Sequence, residues 1–465
     1  MISLLRLPTS GLLACALLQV ATPAARAQQM PSRAVVARVA DSLATDFIAA
    51  RGAPGVSIAI VRGRDTLVFG GWGKADLENE VPATARTVYR IGSITKQFTS
   101  SAVMQLVERG AVKLDEQIGT YLGTLPAAWR GVTVRQLLNH TSGIPSYTNI
   151  GPRWMRRWGE EMTPDTLVAL TATDTVWFKP GTSWNYDNSG YVVLGMLVEK
   201  VAGRPWGTDI IERFAKPLGL DDTQNCLVPP IIPRRARGYA DENHAWMNAT
   251  YLAMTQPYAA GALCSTIGDL VRWNRALATG KVVSVASYAT MTSPQGAAVP
   301  AKYGFGLGRD TLAGQTVISH GGGINGFISA NAWFPDAELS VTVLTNSGSA
   351  PSDRLMAQLA RLALGVPLLQ PPARVAMTAA DRAQYVGVYA LKLGAMARDF
   401  SFFERDGELY SQLEGQGAIP LIPMGNHAFG ASFDPSVRIV FTVENGKATK
   451  MTLTQGGRTL EGLRK

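Results

Sequence analysis

Apolar positions recur every three to four residues across residues 32–51, where Val35, Val36, Val39, Leu43 and Phe47 share one face, and this spacing predicts an amphipathic helix. Two strands are predicted at residues 55–61 and 66–71, joined by the hairpin signal Arg62-Gly63-Arg64-Asp65. A second helical stripe follows, through Phe98, Ala102, Val103, Leu106 and Val107, and Gly110 stops it. Residues 132–277 read mainly as helix and loop, including helices at 191–201, closed by Gly203, and at 266–277. Strand character returns at residues 327–334 and 340–346, and a helix at 352–364 ends the region. Strands and helices at both ends of a helical middle predict one sheet whose edges come from both ends of the domain.

The pattern changes after Gln370-Pro371-Pro372-Ala373, which reads as a linker. Short strand-like segments at 385–389, 400–404, 408–413, 439–443 and 450–454 are separated by Asp406-Gly407, Asn445-Gly446 and Gly456-Gly457. They predict an antiparallel barrel or sandwich of about eight strands. The expected organisation is a secretion signal over residues 1–27, a catalytic-sized domain over 32–369, a linker over 370–375 and a β domain over 376–465.

The signal carries Arg6, an apolar stretch from Leu12 to Ala21 and the small-residue site Ala25-Arg26-Ala27, so the mature chain is expected to be exported, periplasmic or secreted. Leu12-Leu13-Ala14-Cys15 resembles a lipoprotein cleavage site, but it lies early and the apolar run continues past it. No later stretch reaches the roughly 18 apolar residues that span a bilayer. Removing Arg6 and Arg26 takes the formal charge from +9 to +7. The basic clusters, Arg153, Arg156, Arg157 and Arg234, Arg235, Arg237, are short, which argues for a solvated basic face and against nucleic acid. Cys226 and Cys264 remain after cleavage, and they read equally as a disulfide or as two buried thiols.

Of the twelve lysines, only Lys96 has a serine three residues before it. In Ser93-Ile94-Thr95-Lys96 helical spacing puts the amine beside the hydroxyl, a nucleophile with its own base. Ser93 at a helix start also has unpaired backbone N–H groups that can stabilise an oxyanion. One such spacing is expected by chance, so further groups are required. Tyr186-Asp187-Asn188 sits in a turn leading into a helix and can aim a phenol and an amide into a cleft. The similar triplet Tyr147-Thr148-Asn149 lies in a polar loop after Pro145 and reads as structural. Ser319-His320-Gly321-Gly322-Gly323 is a glycine-rich approach to a strand, where a backbone can come close to a ligand.

Ser93-x-x-Lys96, Tyr186-x-Asn188 and His320-Gly321-Gly322 occur in the order and spacing of the serine β-lactamase and penicillin-binding superfamily. The chain most resembles the branch of class C β-lactamases, D-Ala-D-Ala carboxypeptidases, D-aminopeptidases and esterases. Leu137-Leu138-Asn139-His140-Thr141-Ser142-Gly143-Ile144 and residues 261–270 support this, and the final segment resembles the lipocalin-like barrel often appended to such hydrolases. The resemblance implies an α/β fold: a β-lactamase/transpeptidase-like antiparallel sheet flanked by helices, a helical subdomain and a C-terminal antiparallel barrel.

It further implies an acyl-enzyme at Ser93. Lys96 would be a base held neutral by burial or positive neighbours, Tyr186 a proton relay, and Asn188 an orienting amide. His320 and Gly322 would lie along the substrate, with the oxyanion hole formed by the N–H groups of Ser93 and Gly323. The expected substrates are small or peptidoglycan-derived acyl compounds: esters, amides or D-amino-acyl peptides. A class C-like β-lactamase and a non-catalytic penicillin- or peptidoglycan-binding sensor are the alternatives.

One departure bears on substrate. Relatives with Lys-Thr-Gly or Lys-Ser-Gly use the cation and hydroxyl to grip a substrate carboxylate, whereas His320 is only partly charged near neutrality and Gly321 has no hydroxyl. Scattered His140, His244 and His427 form no metal-ligand spacing, and neither metal nor cofactor is expected. The chain has no Gly-x-Ser-x-Gly elbow, which excludes an α/β-hydrolase reading of His320-Gly321-Gly322-Gly323.

Overall fold

The computed structural model describes residues 30–172, 175–242, 244–370, 373–393, 396–413, 418–431, 437–455 and 458–465. The expected signal sequence, Pro371-Pro372 of the linker and Gly456-Gly457 lie outside the described residues. The principal sheet has seven strands, all antiparallel, in the spatial order Val81–Pro82, Asp65–Asp76, Gly55–Arg62, Leu339–Thr345, Phe327–Phe334, Gln315–Ile324 and Gly308–Leu312. The two ends of the domain therefore meet at its centre, with Val56 opposite Thr345, and each end supplies one edge.

Side-chain alternation along the central strands creates two cores. Val56, Ile58 and Ile60 face Val36, Ala40, Ala44, Leu355 and Leu359 of the helices Arg33–Ala49 and Ser352–Ala363. Ser32 caps the first of these, its hydroxyl accepting from the Val35 N–H. Ala59 and Leu344 face the larger, mostly helical core, which contains Phe98, Leu270 and Trp273.

The helix Thr95–Glu108 lies in that larger core and departs from the expected amphipathic form. Every residue from Thr95 to Met104 is buried, as is Leu106. A helix enclosed on all sides must satisfy its polar side chains internally. Thr99 Oγ1 donates to Ala259 O at 2.7 Å, Ser101 Oγ to Gln97 O at 2.8 Å, and Gln97 Oε1 accepts from Trp273 Nε1 at 2.9 Å.

Two expectations change in the sheet. The strand Gln315–Ile324 contains His320 and all three following glycines, so the run is strand itself rather than the approach to one, and the turn falls at Asn325-Gly326. The strand Gly308–Leu312 gave no periodic signal, because its residues are mostly exposed at the sheet edge.

The C-terminal region is a closed barrel of eight strands, which excludes the sandwich; pairing of Tyr389 with Arg464 joins its first and last strands. Ile419–Gly425, Ala428–Ala431 and Arg458–Arg464 supply the strands whose patterns were illegible. Its interior is filled by Tyr389, Phe402, Leu409, Phe441 and Met451. Among the described residues, no helix is long and apolar enough to cross a membrane.

Candidate active site

Gly92 takes a left-handed conformation (φ +49°) and turns the chain into a short 3₁₀ segment, Gly92–Ile94, that presents Ser93 just before the buried helix. A Cβ on Gly92 would lie 2.9 Å from the Gly323 N, and one on Gly322 would lie 1.9 Å from the Ile91 carbonyl oxygen. Only glycine allows the strand to approach the nucleophile turn this closely. Ser93, Gly92 and Gly323 thus line one cleft, of about 240 Å³, with Tyr147, Thr148 and Asn188.

Lys96 is fully buried. Its Nζ lies 3.1 Å from Ser93 Oγ, 2.7 Å from Asn188 Oδ1 and 2.9 Å from Ala260 O. Burial lowers its pKa well below the ordinary 10.5, and the carboxylate of Asp187 opposes this. The faces of Tyr186 and Tyr191, centred 4.8 and 5.3 Å from Nζ, also favour the ammonium. Burial outweighs both. Of the two means expected to neutralise this lysine, burial operates, and no cation contributes to the shift.

The geometry suits a neutral amine. Two of the three neighbours are carbonyl oxygens, which only accept, so the two N–H bonds of an uncharged lysine go to Asn188 and Ala260. The remaining lone pair then faces Ser93, whose hydroxyl is the one neighbour able to donate.

Asn188 opens the helix Asn188–Ala202, capped by Asp187, whose carboxylate accepts from Gly190 N at 3.0 Å and from Ser142 Oγ at 3.2 Å. The Asn188 Nδ2 donates to Thr148 Oγ1 at 3.0 Å, which fixes the amide with its oxygen toward Lys96. Burial raises the Asp187 pKa to about 7. The Tyr186 hydroxyl is buried without a well-formed hydrogen bond. Burial raises its pKa strongly, and the neighbouring Ser93 side chain moderates the rise.

His320 lies near Tyr186, their ring centres 6.2 Å apart, but its hydrogen bonds go elsewhere. Its Nδ1–H donates to Gly321 O, so Nε2 is bare and accepts from the Tyr303 hydroxyl at 2.9 Å. Burial lowers its pKa to about 4. The ring is therefore neutral at physiological pH.

Ser93, Lys96, Tyr186, Asn188, His320, Gly322 and Gly323 are thus brought together. The Tyr147-Thr148-Asn149 triplet, read as structural, instead supplies two cleft residues; Tyr147 OH also donates to Gln256 O at 2.9 Å. Sequence reasoning also missed Tyr303, which carries no local signal, and Asp187, whose position before a helix was a legible capping signal. Cys226 and Cys264 are both free and buried, which removes the disulfide: the Cys264 thiol is directed 3.8 Å from Gln224 O, and burial keeps it protonated. His140 is buried, its Nδ1 accepting from Asp187 N at 3.1 Å, and it braces the turn beside Tyr186.

A serine bonded to a buried lysine, between a helix start and a glycine-rich strand, defines a serine hydrolase of the β-lactamase and transpeptidase-like fold. The Beta-lactamase family model matches residues 40–365, and the chain belongs to that family. Penicillin-binding protein 4* of Bacillus subtilis (strain 168) is 26% identical over 438 residues, covering 88% of this chain and 94% of its own. The D-stereospecific amidohydrolase from Streptomyces sp. is 32% identical with a TM-score of 0.61, over 70% of this chain and 98% of its own. The octameric penicillin-binding protein homologue from Pyrococcus abyssi is 25% identical with a TM-score of 0.66, over 91% and 99%.

Proposed function

We propose that this protein is an exported hydrolase that forms and hydrolyses a Ser93 acyl-enzyme on D-amino-acid amides, esters or short peptides, including peptidoglycan-derived ones. The observation that carries the proposal is the fully buried Lys96, whose Nζ lies 3.1 Å from Ser93 Oγ and whose pKa burial lowers well below the ordinary value. Lys96 takes the Ser93 proton as Oγ attacks the substrate carbonyl. The N–H groups of Ser93 and Gly323 receive the oxyanion. Tyr186 relays the proton to the departing amine or alcohol and then helps activate water, while Asn188 holds Lys96 and the substrate amide.

The neutral His320, already engaged by Tyr303, and the bare Gly321 offer no charge or hydroxyl to a carboxylate on the leaving group. This favours amides and esters over β-lactams and peptidyl-D-alanine. The D configuration is supported by the likeness to the D-stereospecific amidohydrolase. Export is supported by residues 1–27 alone.

The test is turnover of D- and L-phenylalanine amide and of benzylpenicillin, with intact mass measured on wild type and Ser93→Ala. Turnover of the D-amide, abolished in Ser93→Ala, is expected. Rapid penicillin loss would point to a β-lactamase instead, and a protein that neither turns over nor is acylated would be a binding protein.

A further inference from the structure

Beyond the Asn325 end of the cleft lies a second cavity, of about 350 Å³, lined by Arg90, Arg235, Arg237, Tyr251, Asn325 and Phe327 among others. Asn325 lines both cavities and is fixed there by donating to Thr250 O at 2.9 Å. Arg90 is three residues before the nucleophile, on the strand Tyr89–Arg90 that leads into its turn.

The three arginines are not equivalent. Arg237 is neutralised by Asp76 at 3.3 Å and Glu78 at 2.9 Å. Arg90 lies with its guanidinium carbon 5.7 Å from the Phe327 ring centre and beside the buried Cys226 thiol. Arg235 donates to Leu227 O at 3.3 Å. Neither Arg90 nor Arg235 forms an ion pair among the described residues, and both are half-buried. Two partly desolvated guanidinium groups without a carboxylate partner, at the wall of a ligand-sized cavity, make a site for an anion.

Its side of the cleft follows from the proposed roles. Tyr186, which relays the proton to the leaving group, lies at the His320 end of the strand Gln315–Ile324, so the acyl part extends past Gly323 toward Asn325.

We infer that the cavity bearing Arg90 and Arg235 is an acyl-side subsite for a carboxylate on the substrate, so that the preferred acyl donors are anionic at the end remote from the scissile bond. The inference rests on the Ser93 reading above. It reverses the charge logic of the leaving-group side, where His320 offers none.

The experiment uses mono-p-nitrophenyl esters of succinate, glutarate and adipate, each matched with its primary-amide isostere, and a phosphonate analogue of the best one. With wild type, the best carboxylate is expected to exceed its amide isostere in kcat/KM by about ten- to hundredfold, the worth of charge-assisted hydrogen bonds. Preference for the phosphonate over the carboxylate would assign the site to phosphate-type anions and overturn the carboxylate inference. Arg235→Gln is expected to bring the carboxylate-to-amide ratio to about one and Arg235→Glu to invert it; Arg90→Gln repeats the loss. A wild-type ratio near one at every chain length overturns the subsite and leaves the Ser93 chemistry intact. Should no ester acylate Ser93, the mechanism fails separately. Calorimetry with glutarate on wild type and Arg235→Gln then decides the anion site: arginine-dependent binding supports it and absence of heat overturns it.

Discussion

Two of the three buried interiors of this chain are built on opposite principles. Around the helix Thr95–Glu108 the interior contains Lys96, Gln97, Thr99, Ser100 and Ser101, and their polar atoms are hydrogen-bonded to partners that include Ala260, Tyr191 and Asn188. In the barrel, Phe441 packs against Tyr385, Tyr389, Phe402 and Phe429 with ring centres 4.9 to 5.6 Å apart. Apart from tyrosines, Ser411 is the only buried polar side chain among the described barrel residues. A buried polar network is costly unless satisfied, and it fixes geometry where satisfied. The hydrolase interior spends stability on placing a reactive amine, whereas the barrel interior contributes stability and no reactive group.

Breaking the polar interior should produce the largest effect. Lys96→Met keeps the buried volume but removes the base, and kcat should fall by at least about 10⁴-fold, as when members of other serine-hydrolase catalytic units are removed. Circular dichroism and unfolding should remain close to wild type, because the substitution also removes a buried amine. The converse holds for the barrel. Phe441→Ala should cost about 3–5 kcal/mol in urea unfolding and leave kcat on a D-amino-acid amide unchanged wherever the protein is folded.

A smaller effect separates adjacent glycines. Gly322→Ala puts a methyl 1.9 Å from the Ile91 carbonyl oxygen and must push the strand from the Ser93 turn, whereas the nearest atoms to a Cβ on Gly321 are 3.5 Å away. A displacement of that kind should lower kcat/KM about 100-fold for Gly322→Ala, with Gly321→Ala close to wild type. The smallest effect is on pH. The Asp187 carboxylate, where it is ionised, raises the Lys96 pKa. Removing that charge disfavours the ammonium, so Asp187→Asn, which retains a capping side chain, should move the acid limb of kcat/KM to lower pH by a fraction of a unit.

The same contrast decided what the sequence could convey. Residues 327–334 were legible because Phe327, Ile328, Trp333 and Phe334 give a run of strand length its aromatic and β-branched character, and the structure has Phe327–Phe334 as a strand buried on both faces. Ser93-x-x-Lys96 was legible because helical spacing alone brings the two together. The helix behind it was misread as amphipathic, since hydroxyl and amide side chains give no sign that they will be enclosed and satisfied by Ala259, Trp273 and Tyr191, all distant in sequence. Tyr303 was invisible for the same reason: its meaning lies in His320 on a neighbouring strand. In the barrel, Ala428–Ala431 is too short to show a period, and only ring closure identifies it as a strand.

The central claim is that Lys96 is an uncharged amine whose lone pair faces Ser93. NMR titration of the protein with ¹³C-labelled lysine side chains, with the Lys96 resonance assigned by its loss in Lys96→Met, tests it directly. The account predicts a Lys96 signal at the neutral-amine position at neutral pH, while exposed lysines remain ammonium; a Lys96 signal that stays at the ammonium position until the ordinary 10.5 would contradict it.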